Sequence, residues 1–290
     1  MAQLPVDNTR RYLDAMKLLL SGAAYDESSH DLIHPSRVEV SPWTHPRSAL
    51  RTRWFRFVVR WLKRRNHEVR FLRPFDLQQR IDGKDWPAIG YTMVGLKRLD
   101  NLQECAERIL AEAVPGDLVE TGVWRGGASM FLKCMLRAHG DTERVLWLAD
   151  SFEGMPAPKP GTYAADADSP DLTNERYLVV PLEQVQANFR RFGLLDDRVR
   201  FLKGWFCDTL PGSPIERISL LRLDGDLYES TMDALRSLYP RVSRGGFVVV
   251  DDYHNWVACR KAVDEYRAVH DIGAPLVPID DHAVYWRVGD

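Results

Sequence analysis

Two short runs set acidic residues directly behind apolar stretches: Leu221-Arg222-Leu223-Asp224-Gly225-Asp226 and Val248-Val249-Val250-Asp251-Asp252. If each stretch is a parallel strand and the two are neighbours, Asp224, Asp251 and Asp252 converge at the C-terminal edge of the sheet, where open α/β sheets bind ligands. Carboxylates that close repel one another and lose ionisation unless a cation neutralises them. A single strand-end Asp is often only a helix cap, but two strands ending in paired aspartates need more than that. Oxygen ligands with no His or Cys among them suit Mg²⁺, Mn²⁺ or Ca²⁺ rather than zinc. Three carboxylates leave an octahedral ion with open positions, which the two oxygens of a vicinal diol or catechol could fill, and a hydroxyl so placed loses its proton more readily. Asp226, two residues past Asp224 and beyond a glycine, is placed to take that proton as general base. His254, just after the aspartate pair, is the competing base, although a lone His on a loop is usually surface.

A second constellation lies upstream, in Glu120-Thr121-Gly122-Val123-Trp124-Arg125-Gly126-Gly127. Gly122 lets backbone approach a ligand, and Gly126 and Gly127 permit a tight turn that opens a helix at about Ala128. The spacing is not the G-x-G-x-x-G of dinucleotide binders, and Glu120 suits a positively charged ligand end better than a pyrophosphate. S-adenosylmethionine, with an α-amino group and a sulfonium and no phosphate, fits that description. The next strand ends Trp147-Leu148-Ala149-Asp150-Ser151, and a carboxylate there can accept two hydrogen bonds from ribose hydroxyls; the plainer role for Asp150 is a helix N-cap. Gly204-Trp205-Phe206 closes a further strand, with Trp205 either walling an adenine pocket or packing as core.

The elements that must position these residues are legible from about residue 115 onward. Short β-branched runs ended by Gly or Asp alternate with longer segments of helical period, the pattern of βαβ units in a parallel sheet. The pattern predicts strands at Asp117–Val123, Val145–Asp150, Val199–Lys203, Ser219–Asp224 and Gly246–Asp251, then a closing pair at Leu276–Ile279 and Ala283–Arg287. That last pair is too close together for a crossover helix and should form an antiparallel hairpin at a sheet edge. Ala157–Pro170, rich in Pro, Ala, Asp and Gly, reads as a long mobile loop. Residues 1–90 differ in kind and are expected to form an N-terminal helical cap over an α/β domain at 91–290. Tyr12, Leu13, Met16, Leu19 and Leu20 outline an amphipathic helix, and Pro35, Pro42 and Pro46 follow in an irregular stretch.

Composition narrows the function classes. With 39 Lys and Arg against 41 Asp and Glu, no global charge favours nucleic acid as partner. The four cysteines are scattered, without zinc-site pairing or disulfide density, and no apolar run approaches about eighteen residues, so a reduced, cytoplasmic, non-spanning protein is expected. One stretch stands apart: between Arg47 and Arg65 eight Lys and Arg occur with no acidic residue, interleaved with Trp54, Phe55, Val58, Trp61 and Leu62 on one helical face. It reads as a helix packed by its aromatic stripe, a basic segment lying peripherally on an anionic membrane, or a cationic lid over an acidic acceptor.

Taken together, Asp85-Trp86-Pro87, Thr92-Met93-Val94-Gly95, Arg98-Leu99-Asp100-Asn101-Leu102, the run Val114 to Gly127, Asp150-Ser151-Phe152-Glu153-Gly154, Gly204-Trp205-Phe206, Leu223-Asp224-Gly225-Asp226-Leu227-Tyr228-Glu229-Ser230-Thr231 and Asp251-Asp252-Tyr253 resemble the macrocin O-methyltransferase family across residues 86 to 287. The resemblance implies a Rossmann-like class I methyltransferase fold and O-methylation of a sugar hydroxyl on a natural product. It also implies S-adenosylmethionine near Thr92 and Met93, Mg²⁺ (or Mn²⁺) at Asp224, Asp251 and Asp252, Asp226 as base, an N-terminal lid and a homo-oligomer. The chain departs from the family between about residues 28 and 82, which are longer and more basic. A catechol O-methyltransferase would use the same metal, and a non-catalytic cofactor-binding module would share the fold. A nicotinamide oxidoreductase would have no use for the aspartate pairs.

Overall fold

The structure is a computed structural model and describes residues 6–25, 29–31, 57, 61, 64–65 and 71–289. A small antiparallel sheet combines β1 (Ser29–Asp31), β2 (Phe71–Arg73) and β3 (Trp86–Pro87) in the order β2-β1-β3. The main sheet has seven strands: β4 (Asp117–Thr121), β5 (Leu146–Asp150), β6 (Val199–Lys203), β7 (Ile218–Leu223), β8 (Val242–Val250), β9 (Val277–Pro278) and β10 (Val284–Arg287). Their order is β6-β5-β4-β7-β8-β10-β9, parallel through β8 and antiparallel at β10 and β9. The chain first builds outward from β4 through β5 to β6, then crosses back to lay β7 against the other side of β4. That reversal is a switch point, and a crevice opens beyond the strand ends there.

Parallel strands need crossovers, and helices cover both faces. On one face lie α1 (Val6–Ser21), α3 (Leu96–Ala111), α4 (Gly127–Ala138) and α5 (Leu182–Arg191), whose Leu13, Leu99, Phe131 and Phe189 pack with Leu118, Leu146 and Leu220 of the strands. On the other lie α7 (Tyr228–Leu238) and α8 (Val257–Val269), whose Leu235, Leu238 and Val263 meet Val119, Leu221 and Val248. Neighbouring strand residues therefore serve opposite layers, as the period of two demands. Two further short helices are α2 (Leu77–Asp82) and α6 (Phe206–Thr209). Although α1 falls in the segment expected to be a cap, its Leu13, Met16 and Leu20 are buried in the same core as α3 and α4.

The expected strand positions hold to within a few residues, and the closing pair does form an edge hairpin, with Val284 opposite Pro278. Within the loop expected at residues 157–170, a 3-10 turn forms at Ala164–Asp166 and Asp166 is buried. The loop's composition gave no periodicity to read, but the loop packs against α7, including its first turn, and against α8. The crevice itself depends on a close backbone approach, since a Cβ on Gly122 (φ +81°) would collide with the carbonyl oxygen of Asp224 on the neighbouring strand end. Gly122→Ala should thus combine a left-handed backbone with overpacking and lower stability by on the order of 3 kcal/mol, read as a lower urea midpoint at unchanged slope.

Candidate active site

The strand ends open on one cavity of about 660 Å³. Glu120, Gly122, Asp150, Ser151, Gly204, Trp205 and Phe206 line it from the β4-β5-β6 side, and Asp224, Asp226, Asp251 and Asp252 from β7 and β8, with Thr92 and Met93 reaching it from the segment before α3. Two residues predicted to bind cofactor do not line it. The Thr121 side chain is fully buried, its hydroxyl donating to the Arg222 carbonyl oxygen at 3.4 Å, and Gly126 (φ +89°) turns the chain into α4 against Val185 and Phe189. Nor does His254 line it: its side chain is exposed and stacks edge-on against Tyr253.

Asp150 ends β5 with its carboxylate turned to the glycine loop. Oδ2 accepts from the Val123 N–H at 2.6 Å and the Trp124 N–H at 3.4 Å, while Oδ1 accepts from the Phe152 N–H at 2.7 Å. The loop is thereby fixed beside the cavity, and Trp124 holds a left-handed φ of +47°. Burial raises the Asp150 pKa, and these N–H groups oppose the rise. No helix follows Asp150 directly, so a simple N-cap role does not describe it. Trp205 is 38% exposed and faces the cavity, which removes the reading of it as plain core.

Electrostatics concentrate between β4, β7 and β8. Arg222, flanked by leucines in a strand buried along its whole length, sends Nη1 to Glu120 Oε1 at 2.5 Å and to Asp224 Oδ2 at 2.9 Å, and Nη2 to Asp251 Oδ1 at 2.5 Å. The other Asp251 oxygen bonds Arg98 of α3, whose Nε meets Asp280 Oδ2 at 3.0 Å and whose Nη2 donates to the Gly83 carbonyl at 3.2 Å. The second Glu120 oxygen accepts from the Ser129 hydroxyl. Burial raises Glu120 to about 7 against the pull of Arg222. Burial also works against ionised Asp251, but Arg222 and Arg98 override it and hold that carboxyl below the ordinary range.

The three carboxylates that come together are Asp224, Asp226 and Asp252, whose oxygens lie within 4.8 Å of one another. Asp251, expected in that set, instead turns both oxygens to arginines. Asp226 joins because its backbone is left-handed (φ +57°) just after Gly225, a conformation that Asp tolerates better than most residues. Burial pushes Asp226 up to about 8, with Asp224 and Asp251 adding to the rise, and it raises Asp252 further, reinforced by Asp226 and Asp224. Asp252 Oδ2 is buried without a hydrogen-bond partner among the described residues. Around this point two buried arginines, Arg98 and Arg222, face six carboxyl groups: Glu120, Asp224, Asp226, Asp251, Asp252 and Asp280. A hard cation among Asp224, Asp226 and Asp252 fits both the oxygen donors and the deficit of positive charge.

Against known proteins, residues 9–288 match the model of the macrocin O-methyltransferase (TylF) family. The chain belongs to the macrocin O-methyltransferase family. It is 59% identical over 212 residues, 73% of this chain and 81% of the other, to the 8-demethyl-8-(2,3-dimethoxy-alpha-L-rhamnosyl)-tetracenomycin-C 4'-O-methyltransferase of Streptomyces olivaceus. It is 50% identical over 212 residues, 72% and 83% of the two chains, to the mycinamicin III 3''-O-methyltransferase of Micromonospora griseorubida. The solved structure of the O-methyltransferase NovP shares 41% identity and a TM-score of 0.80, covering 97% of this chain and all of that one. The family match starts well before residue 86, so the N-terminal stretch set apart by its composition lies inside it. As a family member the chain is an O-methyltransferase.

Sequence reasoning missed Arg98, Arg222 and His282, which also line the cavity. A charge between Leu221 and Leu223 in an otherwise apolar strand was the available signal for Arg222, because such a position is rarely buried unpaired. The basic stretch 47–65 lies mostly outside the described residues; of its members, Phe57 and Trp61 are exposed, and the Arg65 guanidinium sits 4.0 Å from the Trp61 ring centre. Among the described residues no helix is long and apolar enough to cross a membrane. Arg98→Met should leave Asp251 and Asp280 buried without one partner each and lower unfolding stability by about 3–5 kcal/mol, which chemical denaturation would register.

Proposed function

We propose that this chain transfers a methyl group from S-adenosylmethionine to a hydroxyl on the sugar of a glycosylated small molecule, assisted by a divalent cation such as Mg²⁺. The observation that carries the cation is the Asp224, Asp226 and Asp252 cluster, with an unpartnered buried oxygen, opening on the same cavity as the glycine loop and Asp150. The sugar comes from the relatives, which are named for methylating a rhamnosyl-bearing tetracenomycin and a mycinamicin.

Once bound, S-adenosylmethionine supplies the methyl group, and a divalent cation supplies positive charge that makes a nearby hydroxyl more acidic. Asp150, its orientation set by three backbone N–H groups, would hold the ribose hydroxyls, and Glu120 would face the amino group of the methionine end. Trp205 would wall the adenine. Asp224 and Asp252 would hold the cation; Asp251 joins them only by loosening one of its arginines, and otherwise serves as their anchor. Asp226 takes the acceptor proton on its carboxylate, and a pKa near neutrality is what an efficient general base needs.

Mass spectrometry of a panel of deoxysugar glycosides and catechols, with Mg²⁺ and with excess EDTA, tests the reading. Methylated glycoside should form only with metal, and product in full yield under EDTA would overturn the metal's role; exclusive methylation of catechols would overturn the acceptor class. Because burial raises the pKa of Asp224 and Asp252 and raises Asp226 beside them to about 8, protons oppose cation binding until the pH approaches that value. Calorimetric Mg²⁺ affinity should therefore tighten as pH rises from about 6 to about 8, with protons released on binding.

Asp226→Asn should retain S-adenosylmethionine affinity while kcat falls by about 10²- to 10⁴-fold. A near-parental rate would remove Asp226 from proton transfer.

A further inference from the structure

The turn that presents Asp226 is under constraint from both sides. Upstream, the Asp224 N–H donates to the Thr121 carbonyl at 2.9 Å, tying the turn to β4. Within it, Asp226 is left-handed, and the Leu227 N–H closes on the Gly225 carbonyl at 2.6 Å. A non-glycine residue in that conformation persists only where its surroundings over-determine it. The downstream restraint comes from a distant part of the chain. Asp166, 1% exposed, accepts the Tyr228 N–H on Oδ1 at 2.8 Å, just two residues after Asp226.

Tyr228 opens α7, and Leu227 before it offers no side-chain cap. The first N–H groups of a helix need acceptors from outside the helix, and a carboxylate there is also favoured by the helix dipole. Asp166 therefore does for α7 what an N-cap residue normally does locally, but from the loop between β5 and α5. Two other contacts join the same loop to the same helical turn: the Tyr163 and Tyr228 rings lie 5.6 Å apart, and Lys159 Nζ meets Glu229 Oε1 at 2.9 Å. The loop is also cavity wall, since Met155, Pro156, Ala157 and Lys159 line the space that Asp226 and Glu229 enter. The loop and the proton acceptor thus line the same cavity.

We propose that Asp166 is a positioning residue for methyl transfer: it caps α7 from the 157–170 loop, fixes the Asp226 turn, and couples the seating of that loop around the acceptor to the placement of the base. This rests on the reading of Asp226 as proton acceptor. The coupling has a readout that does not depend on that reading, namely amide hydrogen exchange.

Asp166→Ala, compared with Asp166→Asn in the full chain, tests it. The Asn side-chain oxygen can accept the same bond, whereas Ala cannot. In the Ala variant, exchange should speed up together at the start of α7 and in residues 157–167, with the strands β4, β7 and β8 unchanged. kcat should fall by about ten- to a hundredfold, the scale of a small misplacement of a reacting group, with S-adenosylmethionine affinity by calorimetry within about twofold of the parent. Asn should restore most of both effects. If Ala does not fold, Tyr163→Ala, which loosens the same loop from a less buried position, should speed exchange at the same two segments. Unchanged exchange at the start of α7 in whichever variant folds would overturn the proposal, as would an Asn variant as slow as Ala. Coupled exchange alongside a fully active Asp226→Asn would instead overturn only the assignment of Asp226.

Discussion

Arg222 is the constraint from which the site follows, because one guanidinium buried between two leucines has to satisfy its charge with whatever the neighbouring strands present. It finds Glu120 on β4, Asp224 at the end of its own strand and Asp251 after β8, so three strand ends are held in register by one side chain. Burying a charge is costly unless it is paired and hydrogen-bonded, and removing any one of these carboxylates would strand part of it. Arg98 extends the same network to α3 and the closing hairpin through Asp280. The carboxylates left over by this pairing, Asp226 and Asp252, are those whose protons are hardest to remove. They are also the ones that face the cavity beside Asp224.

The division of labour between Asp251 and Asp252 shows how position sets chemistry. Both follow β8 and both are buried. Successive residues near a strand end point in different directions, and here Asp251 meets the arginines while Asp252 meets the other carboxylates. The first is held ionised by its partners and acts as scaffold. The second has its pKa raised by burial and by the neighbouring carboxylates, and it faces the cavity beside Asp224 and Asp226.

Much of this was legible in the sequence because it is periodic or terminal. The β6 strand at Val199–Lys203 lies where its pattern predicts, and the aspartates stand at the strand ends, where a parallel sheet opens on its ligand crevice. Partner choice was not legible. Whether Asp251 meets a metal or an arginine depends on Arg98, 153 positions away in the chain, which no spacing rule reaches. Asp166 was invisible for a different reason: a loop of Pro, Ala, Asp and Gly carries no period, and only the packed structure shows that one of its aspartates caps a helix. His254 failed in the opposite direction, since closeness in sequence to the aspartate pair did not bring its ring into the cavity.

The left-handed backbone at Asp226 also bears on how this family can change. Asn and Gly are the substitutes that such a conformation accepts with least strain, and each is a single base change away from an aspartate codon. Either would erase the carboxylate while leaving the turn, the arginine network and the cavity outline in place. If Asp226 is the proposed base, its loss is conformationally silent, and one substitution would remove the proposed proton acceptor while keeping the fold. A relative carrying that substitution would superimpose on a working enzyme along its whole length, and only the side chain at this one turn would tell the two apart.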